Sequence, residues 1–456
     1  MLRNGAHMAK NPATEREIAL KGLIDIIAKK SYSNIALRRI LAEQPHMNKT
    51  QKAFITEIIT GCIRNLTYLD YIIDNFSNTS TAKMNGNILN ILRISIYQMR
   101  FMDKVPVFAI CDEAVKLTKS IGPARLSSFT NGVLRNVARR PEEPVLPDNT
   151  KNLAHFLSIK YSCSMWIVEH FLEELGEAST VQLFEASSKP SGISLSVNTN
   201  RTTVDELQEL LKQEGLETSA GKLIENTLRI SKTSDIGALP SFKSGLYHIM
   251  DEAAMMAVCR AVSGKEKRIL DLCAAPGGKS FLAAYLSPKS KILSCDIHGF
   301  KLKQLKESTE RLGLDYIKIR KNDAAVYNEE FGNNWDLVIV DAPCSGLGTL
   351  GRRPDIKHNK MKESIKELAE LQRHILTASW KYVAPGGKLL YSTCTISKAE
   401  NIDNRNWFLE NFPFKPVDFG SEASKPEFST AAEGYVQILP QYYNTDGFFI
   451  AIFERV

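Results

Sequence analysis

Apolar positions fall at helical spacing through the first third of this chain. Ile18, Leu23, Ile26 and Ile27 follow that spacing, as do Phe54, Ile58, Ile59, Ile63 and Leu66. Leu89, Leu92, Ile96 and Met99 continue it, followed by Val107, Ile110, Ala114 and Leu117. No alternating strand pattern competes over residues 13–140. The pattern predicts an all-α bundle, assigned to residues 10–142. Pro141, Pro144 and Pro147 then interrupt the chain. Proline disfavours helix at its own position and at the one before it, which places a domain boundary here.

Residues 151–245 mix two periods. Helices are predicted around Trp166–Leu175, Val181–Ala186 and Val204–Glu214, with strands at Ile193–Val197 and Leu228–Ile230. A small α+β connecting subdomain fits this mixture.

From 246 to 456 strands and helices alternate. Predicted strands are Arg268–Leu272, Ile292–Cys295, Ile317–Arg320, Leu337–Asp341 and Lys388–Ser392. Predicted helices are Lys279–Leu286, Lys301–Leu312, Ile365–Tyr382 and Lys398–Asn411. Two late apolar runs, Tyr435–Leu439 and Phe448–Phe453, leave no room for a helix between them and should pair antiparallel. The expected architecture is α/β, a parallel doubly wound sheet ending in a hairpin.

Composition adds limits. A chain of 456 residues exceeds one ordinary core, and its 43% hydrophobic and 24% charged content is that of a soluble globular protein. No apolar run approaches the roughly 18 residues of a membrane span, and Met1–His7 has no apolar signal core. Neither the eight cysteines nor the eight histidines show ligand spacing. Free thiols in a reducing cytoplasm are expected, with no disulfide scaffold and no metal.

Charge changes the picture more. Residues 1–150 hold 21 basic and 13 acidic side chains, whereas the rest holds 37 and 38. The excess of the +7 chain therefore lies in the helical third. Such an excess favours a polyanionic partner through counterion release.

The chemistry concentrates at predicted strand ends. Asp271-Leu272-Cys273-Ala274-Ala275-Pro276-Gly277-Gly278-Lys279 runs from a strand into a helix, the layout of a nucleotide site in an open parallel sheet. It matches neither G-x-G-x-x-G nor the phosphate-cradling G-x-x-x-x-G-K-[ST]. Asp296 ends the next strand, where a carboxylate can grip a ribose diol. Asn322-Asp323 ends the third, where an adenine amino group can be read. A loop without a phosphate cradle, followed by adenosine-reading carboxylates, favours S-adenosyl-L-methionine over NAD or ATP.

Two cysteines share that predicted edge, in Asp341-Ala342-Pro343-Cys344 and Ser392-Thr393-Cys394. Isolated cysteines after strands are usually inert packing, and Cys62, Cys111, Cys163, Cys259 and Cys295 are read so. A pair beside a cofactor loop is different. Cytosine C5 is a poor nucleophile until a thiolate adds at C6, and the adduct must later be taken apart. Asp341, Cys344 and Cys394 are the residue types this chemistry needs. Lys279 is close enough in the loop to favour a thiolate or polarise a base. Spacing leaves open which thiol attacks.

The segments Asp271–Lys279, Asp341–Gly348 and Tyr391–Thr395 resemble motifs of the RNA 5-methylcytosine methyltransferases (the NOL1/NOP2/Sun family), which have a Rossmann-like class I methyltransferase fold. The basic helical third resembles the NusB RNA-binding fold, and the combination resembles the bacterial branch acting on 16S ribosomal RNA. The resemblance spans about residue 10 to 456. It implies that Cys394 is the nucleophile, that Cys344 assists release, and that Asp341 contacts the base close to the cofactor. It further implies that Cys273–Lys279, Asp296 and Asp323 hold S-adenosyl-L-methionine.

The chain departs from the family pattern at Leu350–Asp355, Met250-Asp251-Glu252 and Ser194–Asn198, all near expected RNA contacts. Arg352, Arg353 and Lys357 follow the Cys344 loop and are candidates for phosphate contacts. Arg38, Arg39, Arg135, Arg139 and Arg140 could extend the footprint. The target base must leave its stack to reach the sheet edge, so single-stranded 16S RNA, unassembled or in an early intermediate, is the expected substrate of a monomer. The competing functions are a non-catalytic ribosome-assembly factor using the fold as scaffold, and a nucleotide-dependent oxidoreductase, which the loop disfavours.

Overall fold

The computed structural model describes residues 13–29, 33–189, 192–231, 236–418 and 425–456. The chain divides into two compact units. One holds the residues up to Leu172 together with Arg353–Asn359, and the other holds Glu173–Arg352 and Lys360–Val456. Among the described residues, no helix is long and apolar enough to cross a membrane.

The first unit is the predicted helical bundle. Its successive helices are Glu15–Lys29, Ser33–Ala42, Lys49–Arg64, Leu66–Phe76, Gly86–Phe101, Val107–Ile121 and Ala124–Arg139. Most of the periodic residues meet in one core, where Leu23, Ile26, Ile55, Ile58, Ile59, Leu69, Ile72, Ile91, Leu92 and Leu134 are all buried, while Val107 is exposed. Asn48 starts the third helix with a capping box, accepting from Gln51 N while the Gln51 side chain accepts from Asn48 N.

In the second unit, β1 (Ile193–Val197), β2 (Thr218–Ala220), β3 (Thr227–Ile230) and β4 (Tyr247–Ile249) form an antiparallel sheet in the order β2-β3-β1-β4. β4 lies beyond residue 245, where the connecting subdomain was expected to end. Three residues are too few for an alternating pattern to announce a strand. The two helices expected between 166 and 186 lie within Met165–Ser188 and are separated at Gly176, whose φ of 76° is left-handed.

The large sheet contains β5 (Arg268–Asp271), β6 (Lys291–Asp296), β7 (Lys318–Lys321), β8 (Trp335–Asp341), β9 (Val383–Thr393), β10 (Phe414–Pro416), β11 (Tyr435–Ile438) and β12 (Phe448–Arg455). The order is β10-β12-β9-β8-β5-β6-β7, with β11 on β12. β5 to β9 are parallel, and the last strands pair antiparallel, Val436 opposite Ile450 and Ala451 opposite Tyr391. One helical turn, Pro440–Tyr443, does fit between β11 and β12. Leu270, Val338, Val340, Leu389 and Phe449 pack into one core, and Ile269, Leu337, Ile339, Leu390 and Ile450 into another. This is the two-sided burial that parallel strands require. The chain leaves β5 for β6 on one side and has β8 on the other, so the end of β5 is a topological switch point, the usual place for a ligand.

Candidate active site

The glycine loop sits at that switch point. Gly277 has φ +115°, and a Cβ there would stand 2.2 Å from the Phe281 ring, so no larger residue fits without strain. The helix Gly278–Leu286 starts immediately after it. Asp271, at the end of β5, is fully buried and accepts Ser280 Oγ at 2.7 Å. Burial pushes its carboxyl up to about 7, against the pull of Ser280 and Lys279. Cys273 is half-buried, with its thiol held well above the usual range by burial and by the Asp271, Asp341 and Asp296 carboxyls.

The two carboxylates predicted at successive strand ends lie in different surroundings. Asp296 is buried. Its Oδ1 accepts from His298 N at 2.9 Å and lies 3.0 Å from His298 Nδ1, while Oδ2 is 3.9 Å from Lys301 Nζ. Asp323 is exposed and accepts Ala325 N at 3.0 Å. It lines an open pocket of about 510 Å³ with Asn322, Ile297, Val326 and Tyr327. Ile297 and Val326 are 48% and 61% exposed. Two bare aliphatic side chains beside an amide and a carboxylate fit a flat purine, and the neighbouring Asp296 fits a ribose diol. The exposed pair was missed in the sequence, where isolated Ile and Val give no signal.

The thiols are closer than sequence could tell. Asp341 of β8 pairs in register with Ser392 of β9, so the segments leaving those residues emerge side by side. Cys344 Sγ and Cys394 Sγ lie 3.2 Å apart, within contact but well beyond an S–S bond of about 2.05 Å. Both residues are half-buried. The Cys394 sulfur and burial together hold the Cys344 thiol well above its ordinary range. Two thiols in contact share their titration, so the first proton lost belongs to the pair.

Lys279, in the first turn of its helix, is buried. Its Nζ lies 2.7 Å from Asp341 Oδ2 and 5.1 Å from the centroid of Phe448. Asp341 Oδ1 accepts Ser392 Oγ at 2.9 Å. The glycine loop, β8 and β9 are thus joined by one polar chain.

Backbone contacts complete the Cys344 loop. Gly348 N donates to Cys394 O at 3.1 Å, and Gly447 N donates to Gly348 O at 2.8 Å. A Cβ on Gly348 would sit 2.0 Å from Gly447 O, which explains the glycine here. The helix expected from Lys398 begins only at Ile402. Asn401 is instead engaged by the cysteine segment, accepting Thr393 Oγ1 at 2.6 Å and donating to Thr395 O at 3.1 Å.

The three predicted phosphate contacts separate. Arg353 is exposed. Arg352 donates to Asp251 Oδ2 and lies 3.3 Å from Asp446 Oδ1, with 26% of its side chain exposed. Lys357 is a correction. It is 3% exposed, donates to Tyr161 O at 2.9 Å, and burial lowers its pKa to about 8. Its ammonium belongs to the interior of the first unit and cannot reach a phosphate. Arg38, Arg39, Arg135, Arg139 and Arg140 are all exposed, Arg39 paired with Asp25 and Arg140 with Glu143.

Comparison with known proteins identifies the family. Residues 13–139 match the NusB family, residues 164–237 the ferredoxin-like domain of RsmF/B-like methyltransferases, and residues 261–454 the family described as 16S rRNA methyltransferase RsmB/F. A "Probable ribosomal RNA small subunit methyltransferase B" of Bacillus subtilis is 34% identical, over 96% of this chain and 98% of that protein. A protein of the same description from Synechocystis is 31% identical over 96% and 99%. The crystal structure of PH0851 superposes with a TM-score of 0.81 at 27% identity, covering 98% of this chain and all of that one. With its helical, ferredoxin-like and α/β parts in that order, the chain belongs to the RsmB/F family of 16S rRNA methyltransferases.

Proposed function

We propose that this chain methylates C5 of a cytosine in 16S ribosomal RNA, in the cytoplasm, through a covalent bond between Cys394 and C6 of the base. S-Adenosyl-L-methionine is the methyl donor and supplies an electrophilic methyl group when bound. Cys273–Lys279, Asp296 and Asp323 would hold it. The observation that carries the reading is the pair of thiols 3.2 Å apart at the edge shared with the Lys279–Asp341 ion pair.

Cys394 starts as the thiolate and adds to C6, which makes C5 enamine-like and able to accept a methyl group. Asp341, held by Lys279 and Ser392, meets the base as C6 is attacked. Once the Cys394 sulfur is bonded to carbon its charge is gone. The main cause that holds Cys344 up goes with it. Cys344 then gives its own proton to solvent and, as thiolate, takes the C5 proton, the C6–S bond breaks, and Cys394 leaves as thiolate. Arg353 and the exposed arginines of the basic helical unit would hold the phosphates.

The test uses tritiated S-adenosyl-L-methionine and 16S RNA, with and without small-subunit proteins. Label should appear at cytosine C5, more on bare RNA. Cys394→Ala should abolish transfer, and Cys344→Ala should accumulate a protein–RNA adduct. An adduct with Cys394→Ala instead reverses the two roles. No transfer by the intact protein to any RNA would favour a scaffold in ribosome assembly.

A further inference from the structure

Behind the thiols lies a buried polar cluster that holds the segments carrying them. Glu400 and Gln372 are both fully buried. Glu400 accepts from Ser345 N at 2.8 Å through Oε2 and from Ser345 Oγ through Oε1. Gln372 Nε2 donates to Glu400 Oε2 at 3.0 Å and to Pro343 O at 2.9 Å. Both residues that flank Cys344 are therefore held by this pair.

The cluster also reaches the other thiol. Ser345 Oγ and Thr395 Oγ1 are 2.8 Å apart, and Thr395 follows Cys394 directly. From below, Tyr391 Oη donates to Gln372 Oε1 at 3.1 Å and to Glu400 O, and Asn404 Nδ2 donates to Gln372 Oε1 at 2.9 Å. Burial raises the Glu400 carboxyl, while Ser345 and Gln372 pull it back. A buried carboxyl is costly unless its hydrogen bonds are all made. Its place is accounted for by what it organises.

Resting on the methyl-transfer reading above, we propose that Glu400 is a positioning residue whose carboxyl group, shared between Ser345 and Gln372, fixes the separation of the two thiols. One thiol attacks C6 and the other serves C5 of the same base, so a small drift in either loop leaves one of them out of reach.

Two variants separate the outcomes. In Glu400→Gln, the carbonyl can still accept from Ser345 N and Gln372, and the amide can donate to Ser345 Oγ, which then donates to Thr395. In Glu400→Ala those donors are stranded. Phenylarsine oxide measures the spacing without RNA or methyl donor. Its arsenic forms two As–S bonds, the two thiol protons leave with the oxide oxygen as water, and tight binding requires both thiols at one short distance. Cys394→Ser identifies binding at this pair.

We expect Glu400→Ala to bind phenylarsine oxide about tenfold more weakly and Glu400→Gln to bind like the parent, a difference of about 1.4 kcal/mol. S-Adenosyl-L-methionine should raise Tm equally in all three, since the glycine loop is untouched. Should Glu400→Ala fail to fold, Thr395→Val removes the hydroxyl link alone and should show the same weakening. Parent-like arsenical binding by Glu400→Ala, or by Thr395→Val in its place, overturns the assignment. So does failure of Glu400→Gln to restore it. A parent protein that binds the arsenical but transfers no methyl group would sink the functional reading and leave this one standing.

Discussion

Lys279 and Asp341 form a 2.7 Å ion pair that joins the first turn of the cofactor-loop helix to the end of β8. The amine is buried and the carboxylate half-exposed, so the pair presents Asp341 to the open edge with its orientation set from behind. Lys279→Met removes that support and leaves the Ser392 hydroxyl on Oδ1. The single-turnover rate at saturating RNA and methyl donor should fall about 100-fold, the lower range for loss of a positioned acid–base group. A rate within a factor of a few of the parent would place the pair outside the chemistry.

Gly277 makes a separate prediction. With φ at +115° and the Phe281 ring 2.2 Å from a would-be Cβ, Gly277→Ala must move the ring or the loop. A cost of about 2 kcal/mol is expected for the strain. The Tm shift produced by S-adenosyl-L-methionine should shrink more than the Tm of the free protein. An unchanged shift would mean that the loop does not carry the cofactor.

Asp271 sets a pH dependence. Because burial raises its carboxyl to about 7, the folded protein keeps a proton that the unfolded chain releases near pH 4. The stability this group contributes is whole below about pH 4 and is lost as pH rises through about 7. Glu174, raised to about 7 chiefly by burial, acts in the same direction. Asp271→Asn should flatten the decline in unfolding free energy across that window in urea titrations. A slope equal to the parent's would show that Asp271 is already ionised when folded.

Lys357 and Arg353 should behave oppositely in RNA binding. Arg353→Ala should lower the salt dependence of binding by about one phosphate contact. Lys357→Ala should leave the slope unchanged and lower Tm, since it removes the donor to Tyr161 O from the interior. Equal effects of the two on the salt slope would contradict the burial of Lys357.

The sequence was legible where one period runs long or a motif sits at a strand end. The helical third, the order β5 to β9 and the β11–β12 pairing all follow from such runs. The glycine loop and the two cysteines were also visible there. What escaped depends on partners far apart in the chain. Glu400 looks like one more acidic residue near a helix start until Ser345 and Gln372 are brought to it. Lys357 follows arginines in a loop and reads as surface, yet its segment Arg353–Asn359 packs with the helical unit. The strand Tyr247–Ile249 is too short to show a period.

Gly447 bonds the backbone of Gly348 just before β12 begins, and β12 is the neighbour of β9. The thiol-bearing loop is thus seated by a segment that follows both cysteines in the chain. A nascent chain that has displayed its helical unit, its cofactor loop and both cysteines still lacks the backbone on which Gly348 rests. On the proposed function, the residues expected to hold RNA are thus made before the loop that would carry the chemistry can be seated.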